Sequence, residues 1–174
     1  HTTSVVFGGY TINGYTNKTW IYYYDSDYWM ESSSEDVPSA RYFHDMATDW
    51  NSDRIVMFGG YGMNENGFYS YRNDTWLYYA ERDIWLNVSD ASGPSPRYQH
   101  AMAFDNITGD VILYGGYGMN ETGYYQYFND TWAFDMQTLT WSQIDTPFNP
   151  GKRSYHEMAG DHSGNIMMFG GYVD

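Results

Sequence analysis

The chain has 174 residues, with 22 acidic side chains against 8 basic ones, a net charge of −14, 20 Tyr, 7 Trp, 18 Gly and no cysteine. A field of that sign repels a phosphate backbone, which argues against nucleic acid as a partner, and the missing thiols remove disulfides, cysteine nucleophiles and cysteine-ligated metals. The length suits one domain, no apolar run approaches a membrane-spanning helix, so no membrane insertion is expected, and the aromatic and glycine content favours β-structure with tight turns.

Taken in chain order, the elements repeat. The chain opens on His1-Thr2-Thr3-Ser4 without an initiator methionine or signal-peptide pattern, so removal or incomplete coverage of the true start is expected. Residues 1–37 are predicted to supply strands two to four of a four-stranded unit, carrying Gly8-Gly9, Trp20 and, nine residues on, Trp29. Residues 41–92 are predicted to form a whole unit: "HDMATDWNSDRIVMFGG" reads as strand, polar turn and apolar strand, and "TWLYYAERDIWLNV" as a second hairpin with Trp76 and Trp85. Residues 97–148 repeat it with "HAMAFDNITGDVILYGG" and "TWAFDMQTLTWSQI", and 153–174 supply the first two strands of a further unit. The motif R-x-x-H-x-M recurs as Arg41/His44/Met46, Arg97/His100/Met102 and Arg153/His156/Met158 at steps of 56 residues, which is the mark of a repeat architecture. Four antiparallel strands per period make one propeller blade.

With these features in fixed order, the chain resembles the kelch family over its whole length. It has the Arg-led first strand, the second strand ending in Gly-Gly, and an aromatic seven residues before a Trp, as in Tyr22/Trp29, Tyr78/Trp85 and Phe134/Trp141. The expected fold class is therefore all-β, with kelch-type β-propeller blades, four-stranded antiparallel sheets that are part of a larger ring or of self-associating partial arrays. Trp29, Trp85 and Trp141 are expected to be equivalent and buried, and exposure of any one would count against the assignment.

Catalysis finds little support. The resemblance to galactose-oxidase-type kelch enzymes implies a Tyr cross-linked to Cys, and no Cys exists. The nucleophile-elbow, H-E-x-x-H and P-loop patterns are all missing, so no enzyme and no cofactor are expected. Every histidine except His1 and His162 belongs to the repeat, and His44, His100 and His156 are expected to hydrogen-bond within or between blades rather than to bind a metal. The acidic turns at Asp49–Asp53, Asp105–Asp110 and Asp161–Asn165 read as Asx-type hairpin turns rather than calcium sites.

Recognition is expected elsewhere. "YGMNENGFYSYRND" and "YGMNETGYYQYFND" replace the shorter "YTINGYTNK" between second and third strands, and the excess reads as protruding loop. Phe68, Tyr69, Tyr71, Tyr124, Tyr125 and Tyr127 are the candidate ligand-binding residues, for a protein partner or, as the second reading, for a glycan accepted by Asn64, Asn66 and nearby acids. Replacing Tyr69, Tyr71, Tyr125 and Tyr127 with Ser is expected to leave stability nearly unchanged.

Sequons occur at Asn17, Asn73, Asn87, Asn106, Asn120 and Asn129, against roughly two expected by chance. Asn17, Asn73 and Asn129 lie in the repeated N-[KD]-T-W turn, so Asn87, Asn106 and Asn120 are the independent glycosylation candidates. They point to a secreted or cell-surface location.

Overall fold

A computed structural model describes residues 3–64 and 66–173, and contains no helix among them. His1 and Asp174, the ends of the first and last expected segments, lie outside the described residues. Among the described residues no helix is long and apolar enough to cross a membrane.

Successive sheets follow the 56-residue period. The first blade holds Thr3–Phe7, Thr19–Tyr23 and Tyr28–Glu31, all antiparallel. The second holds Asp45–Thr48, Arg54–Phe58, Thr75–Tyr79 and Ile84–Asn87 in that order across the sheet. The third repeats it with Ala101–Phe104, Asp110–Tyr114, Thr131–Asp135 and Thr140–Ile144. Arg153–Gly160 pairs with Ile166–Val173 to begin the fourth.

The core lies between sheets rather than within them. Val56 and Phe58 face the third blade and pack with Leu113, Phe134 and Trp141, while Ile55 and Met57, one residue out of phase, face Phe7 and Ile21 of the first. Both faces of that strand are buried, so it reads as a continuous apolar run without alternation.

The period is written into the backbone as well. Phe43, Gln99 and Tyr155 all take positive φ and chain the inner edges together: Gln99 donates its N–H to Phe43 at 3.0 Å, and Tyr155 to Gln99 at 3.1 Å. Gly59 has φ +66°, and a Cβ there would lie 2.6 Å from the Arg97 carbonyl oxygen of the next blade. Its neighbour Gly60 donates to that same carbonyl at 2.8 Å. The Gly-Gly pair is therefore where one blade's backbone touches the next.

The tryptophans correct one expectation. Tyr22, Tyr78 and Phe134 are the direct cross-strand partners of Trp29, Trp85 and Trp141, with ring centroids 5.0, 4.9 and 5.1 Å apart, so the three indoles are equivalent within their blades. Trp85 and Trp141 are 2% and 5% exposed, but Trp29 is 45% exposed. Burial comes from the preceding blade: Trp85 packs on Phe7 and donates to Thr19 Oγ1 at 2.9 Å, and Trp141 does the same with Phe58 and Thr75. Among the described residues Trp29 has no such blade beside it. Exposure of this indole thus reflects its place in the array, and it does not count against the fold.

Candidate functional site

The long connections are not irregular. Tyr61–Met63 pairs with Tyr69–Tyr71, and Arg41–Tyr42 adds to the other edge, giving a three-stranded ribbon above the second blade. Tyr117–Met119, Tyr125–Tyr127 and Arg97–Tyr98 build the same ribbon above the third. Asn64 Oδ1 closes the first ribbon's turn by accepting from the N–H groups of Asn66 and Phe68 at 3.0 and 2.9 Å, and Asn120 Oδ1 likewise takes Thr122 and Tyr124. Gly62 is needed because a Cβ would lie 2.1 Å from the Ala40 carbonyl oxygen.

The two ribbons touch. Tyr71 meets Tyr125 at a centroid distance of 5.5 Å and Tyr98 at 5.2 Å, Tyr117 meets Tyr127 at 4.8 Å, and Tyr15 of the first blade meets Tyr42 and Tyr69 at 5.2 and 5.1 Å. Phe43 extends the array inward to Tyr155 at 5.5 Å. These separations fall in the range where aromatic pairs attract. The result is one band of rings crossing several blades.

Within it the six expected residues divide. Phe68 and Tyr124 are 70% and 73% exposed at the ribbon tips, and Tyr69 and Tyr125 are exposed beside them, whereas Tyr71 and Tyr127 are half-buried among other rings. Burial first, then the phenols of Tyr98, Tyr117, Tyr125 and Tyr61, pushes the Tyr71 hydroxyl up to about 12. Half-burial changes the outcome expected of the four-Ser replacement, since Ser at Tyr71 or Tyr127 removes a ring packed on its neighbours and is expected to cost stability. Tyr15, Tyr42, Phe43, Tyr61, Tyr98, Tyr117 and Tyr155 also belong to the band and were missed. Tyr15 stands in the short first connection, and the others were signalled by R-[YS]-[FQY]-H or by the Tyr after a Gly-Gly pair.

The R-x-x-H motif proves to be scaffold. Arg41 and Arg97 are fully buried, and each guanidinium grips a carboxylate with two bonds: Arg41 to Asp74 at 2.6 and 2.7 Å, Arg97 to Asp130 at 2.7 and 2.8 Å. The indoles of Trp76 and Trp132 donate to the same carboxylates. Burial pushes Asp74 and Asp130 up, but the arginines' bonds and charge outweigh it and hold both carboxyls below their usual range. In the first blade Lys18 replaces the aspartate and pairs with Glu31.

The hydrogen bonds expected of the histidines are weak ones between blades, toward the backbone carbonyls of Phe7, Phe58 and Tyr114. Their rings stand edge-on against Phe7, Phe58 and Tyr114 of the preceding blade at 5.5, 5.5 and 5.7 Å. The nearby carbonyls of those residues favour protonation, yet neither nitrogen of His100 or His156 makes a hydrogen bond of good geometry. They act as interblade packing groups. No metal-binding cluster of His, Asp or Glu occurs among the described residues. The acidic turns are Asx turns: Asp49, Asp105 and Asp161 accept from the N–H two residues on at 2.9, 2.8 and 2.8 Å.

Acid sensitivity follows. Burial, then the adjacent arginine, lowers His44 and His156 to about 4 and His100 well below its ordinary value, so between pH 6.5 and 4 the unfolded chain binds protons that the native state refuses. Asp45 opposes this, since burial raises it to about 7 and the native state takes up a proton there first. Three groups outweigh one, and with screening allowed for, stability is expected to fall by roughly 1–2 kcal/mol per pH unit from pH 6 to 5. Urea melts at several pH values check this, and a flat profile would contradict it.

Comparison with known proteins agrees with this architecture. The family profile described as "KLHDC2/KLHL20/DRC7 Kelch-repeats domain" matches residues 1–174. The chain is 23% identical over 157 residues to Mei4-dependent protein 6 of Schizosaccharomyces pombe, covering 86% of this chain and 22% of that protein. It is 24% identical over 164 residues to the Kelch domain-containing protein 10 homolog of Drosophila melanogaster (87% and 26%) and 27% identical over 177 residues to Adagio protein 3 of Arabidopsis thaliana (98% and 27%). It thus spans about a quarter of the length of each of these relatives. Sequence period, blade pairing and profile converge, and the chain belongs to the kelch-repeat family.

Proposed function

We propose that the chain is a non-catalytic binding module whose protein partner docks on the tyrosine band. The observation that carries this is the placement of Phe68, Tyr69, Tyr124 and Tyr125, exposed on two hydrogen-bonded ribbons that brace one another through Tyr71 and Tyr125. Rigid aromatic rings lose little entropy on binding and bury large areas, which suits a protein interface. Packing within the ribbons accounts for Tyr71 and Tyr127 and for one side of Tyr69 and Tyr125, but it leaves Phe68 and Tyr124 at the tips, and the open sides of Tyr69 and Tyr125, without a structural task. A glycan stacked on the same rings is the weaker reading, because the side-chain carbonyls of Asn64 and Asn120 are already taken by their own turns.

Changing Phe68, Tyr69, Tyr124 and Tyr125 together to Ser is expected to reduce partner recovery at least ~10-fold in quantitative co-purification, with the melting temperature shifted by only a few degrees. Recovery equal to wild type would end this reading.

A secreted or cell-surface location is part of the proposal and rests on the sequons. Asn87 is exposed at the end of the strand Ile84–Asn87, while the Asn106 amide nitrogen donates to the His162 carbonyl at 3.0 Å, which makes Asn87 and Asn120 the favoured acceptors. The threonines of the N-[KD]-T-W turns have a separate use, since Thr19 and Thr75 accept indole hydrogen bonds. Glycan mass is expected on Asn87 or Asn120 in the native protein, and all six sequons unmodified would remove the support for export.

A further inference from the structure

The chemistry of the band restricts what can lie on it. Its exposed members, Phe68, Tyr69, Tyr124 and Tyr125, present aromatic surface and phenol oxygens to solvent, even where Tyr69 and Tyr125 lie parallel to Tyr61 and Tyr117 on their inner side. The arginines of these ribbons are turned away from it: Arg41 and Arg97 are fully buried against Asp74 and Asp130, and Arg72, next to Tyr71, is mostly buried and faces Asp74 at 3.6 Å. Glu121 is exposed in the tip of the second ribbon, and Glu157 is exposed two residues from Tyr155. Around all of this the chain carries a net charge of −14. An acidic ligand would meet repulsion from the field and from the ring faces, and a neutral one would gain from neither. A cation gains from both, and a guanidinium most, since its plane stacks on a ring while its N–H groups reach phenol oxygens.

We propose that the tyrosine band receives an arginine-bearing cationic segment of its partner, an inference that rests on the band being the docking surface. The field draws the segment in, and the rings select arginine over lysine.

A displayed library of random dodecapeptides panned against the protein tests this. Recovered peptides are expected to be enriched in arginine. Synthetic versions should lose ~10-fold or more in affinity when arginine becomes citrulline and a smaller factor when it becomes lysine, with weaker binding at high salt. The Phe68→Ser, Tyr69→Ser, Tyr124→Ser, Tyr125→Ser variant should lose the peptides, while Tyr69→Phe with Tyr125→Phe, which keeps the rings, should retain most of the affinity. Neutral or acidic peptides that need the band would overturn the cationic inference and leave the docking function standing. Arginine peptides held equally well by the four-Ser variant would overturn the inference by assigning them to the diffuse acidic surface. A library yielding no band-dependent peptide would overturn the inference and weigh against the docking surface beneath it.

Discussion

Asp130→Ala is expected to lower stability by roughly 3–5 kcal/mol, a loss out of proportion to the few atoms removed. The carboxylate accepts two bonds from Arg97, at 2.7 and 2.8 Å, and one from the Trp132 indole at 2.7 Å, and Arg97 has no exposure to solvent. Alanine leaves a guanidinium charge in the interior without a counter-ion, still tied to the carbonyls of Gly115 and Ser95 and unable to reach water. Asp74→Ala should behave alike, because Arg41 is held in the same way. Lys18→Ala is the contrast: its partner Glu31 is exposed and the change should cost less than about 1 kcal/mol. Urea unfolding followed by tryptophan fluorescence separates the two cases, and an Asp130→Ala loss below that of Lys18→Ala would refute the account.

The second large effect is expected at Trp141. Its ring packs between Phe58 and Phe134, at 5.2 and 5.1 Å, and its Nε1–H reaches the buried Thr75 hydroxyl at 2.9 Å. Trp141→Ala would open a cavity between the second and third blades and strand that hydroxyl, for a loss of roughly 3–5 kcal/mol. Trp29→Ala removes the same residue from the same position in its blade, yet should cost about 1 kcal/mol or less, because this indole is already half in water. Equal losses at the two positions would mean that the blade itself, rather than the junction between blades, is what the tryptophan stabilises.

Much of the fold was legible because a period repeats its constraints. Gly-Gly, the aromatic-to-Trp spacing and the hairpin turns each recur under the same demand, so they could be read without coordinates. The ribbons were not legible. Three-residue strands such as Tyr69–Tyr71 are too short for alternation to be visible, and their Gly, Asn and Ser neighbours resemble loop. Asp74 was overlooked for a different reason: it lies 33 residues from Arg41, and only folding makes them partners. The candidate site was half visible, since the exposed tips stand in the inserted segments, whereas Tyr42, Tyr98 and Phe43 arrive from the inner edge of each blade. Burial of Trp29 could not be judged from the repeat at all, because identical residues acquire different surroundings at different places in an array.

The junctions themselves carry one more consequence. The first two use the same few groups, an indole to the preceding threonine, a glycine N–H to the following arginine carbonyl and a histidine edge to the preceding aromatic ring, and the third repeats the last two. A blade therefore meets its neighbours through interchangeable couplings, and one more in-register 56-residue copy would present either side with nothing unfamiliar. A stretch of any other length placed within a blade's strands would set the glycine pair against the wrong carbonyl. Length can change in this protein only in whole modules, or in the connections above the blades, where "YTINGYTNK" and its longer counterparts already differ.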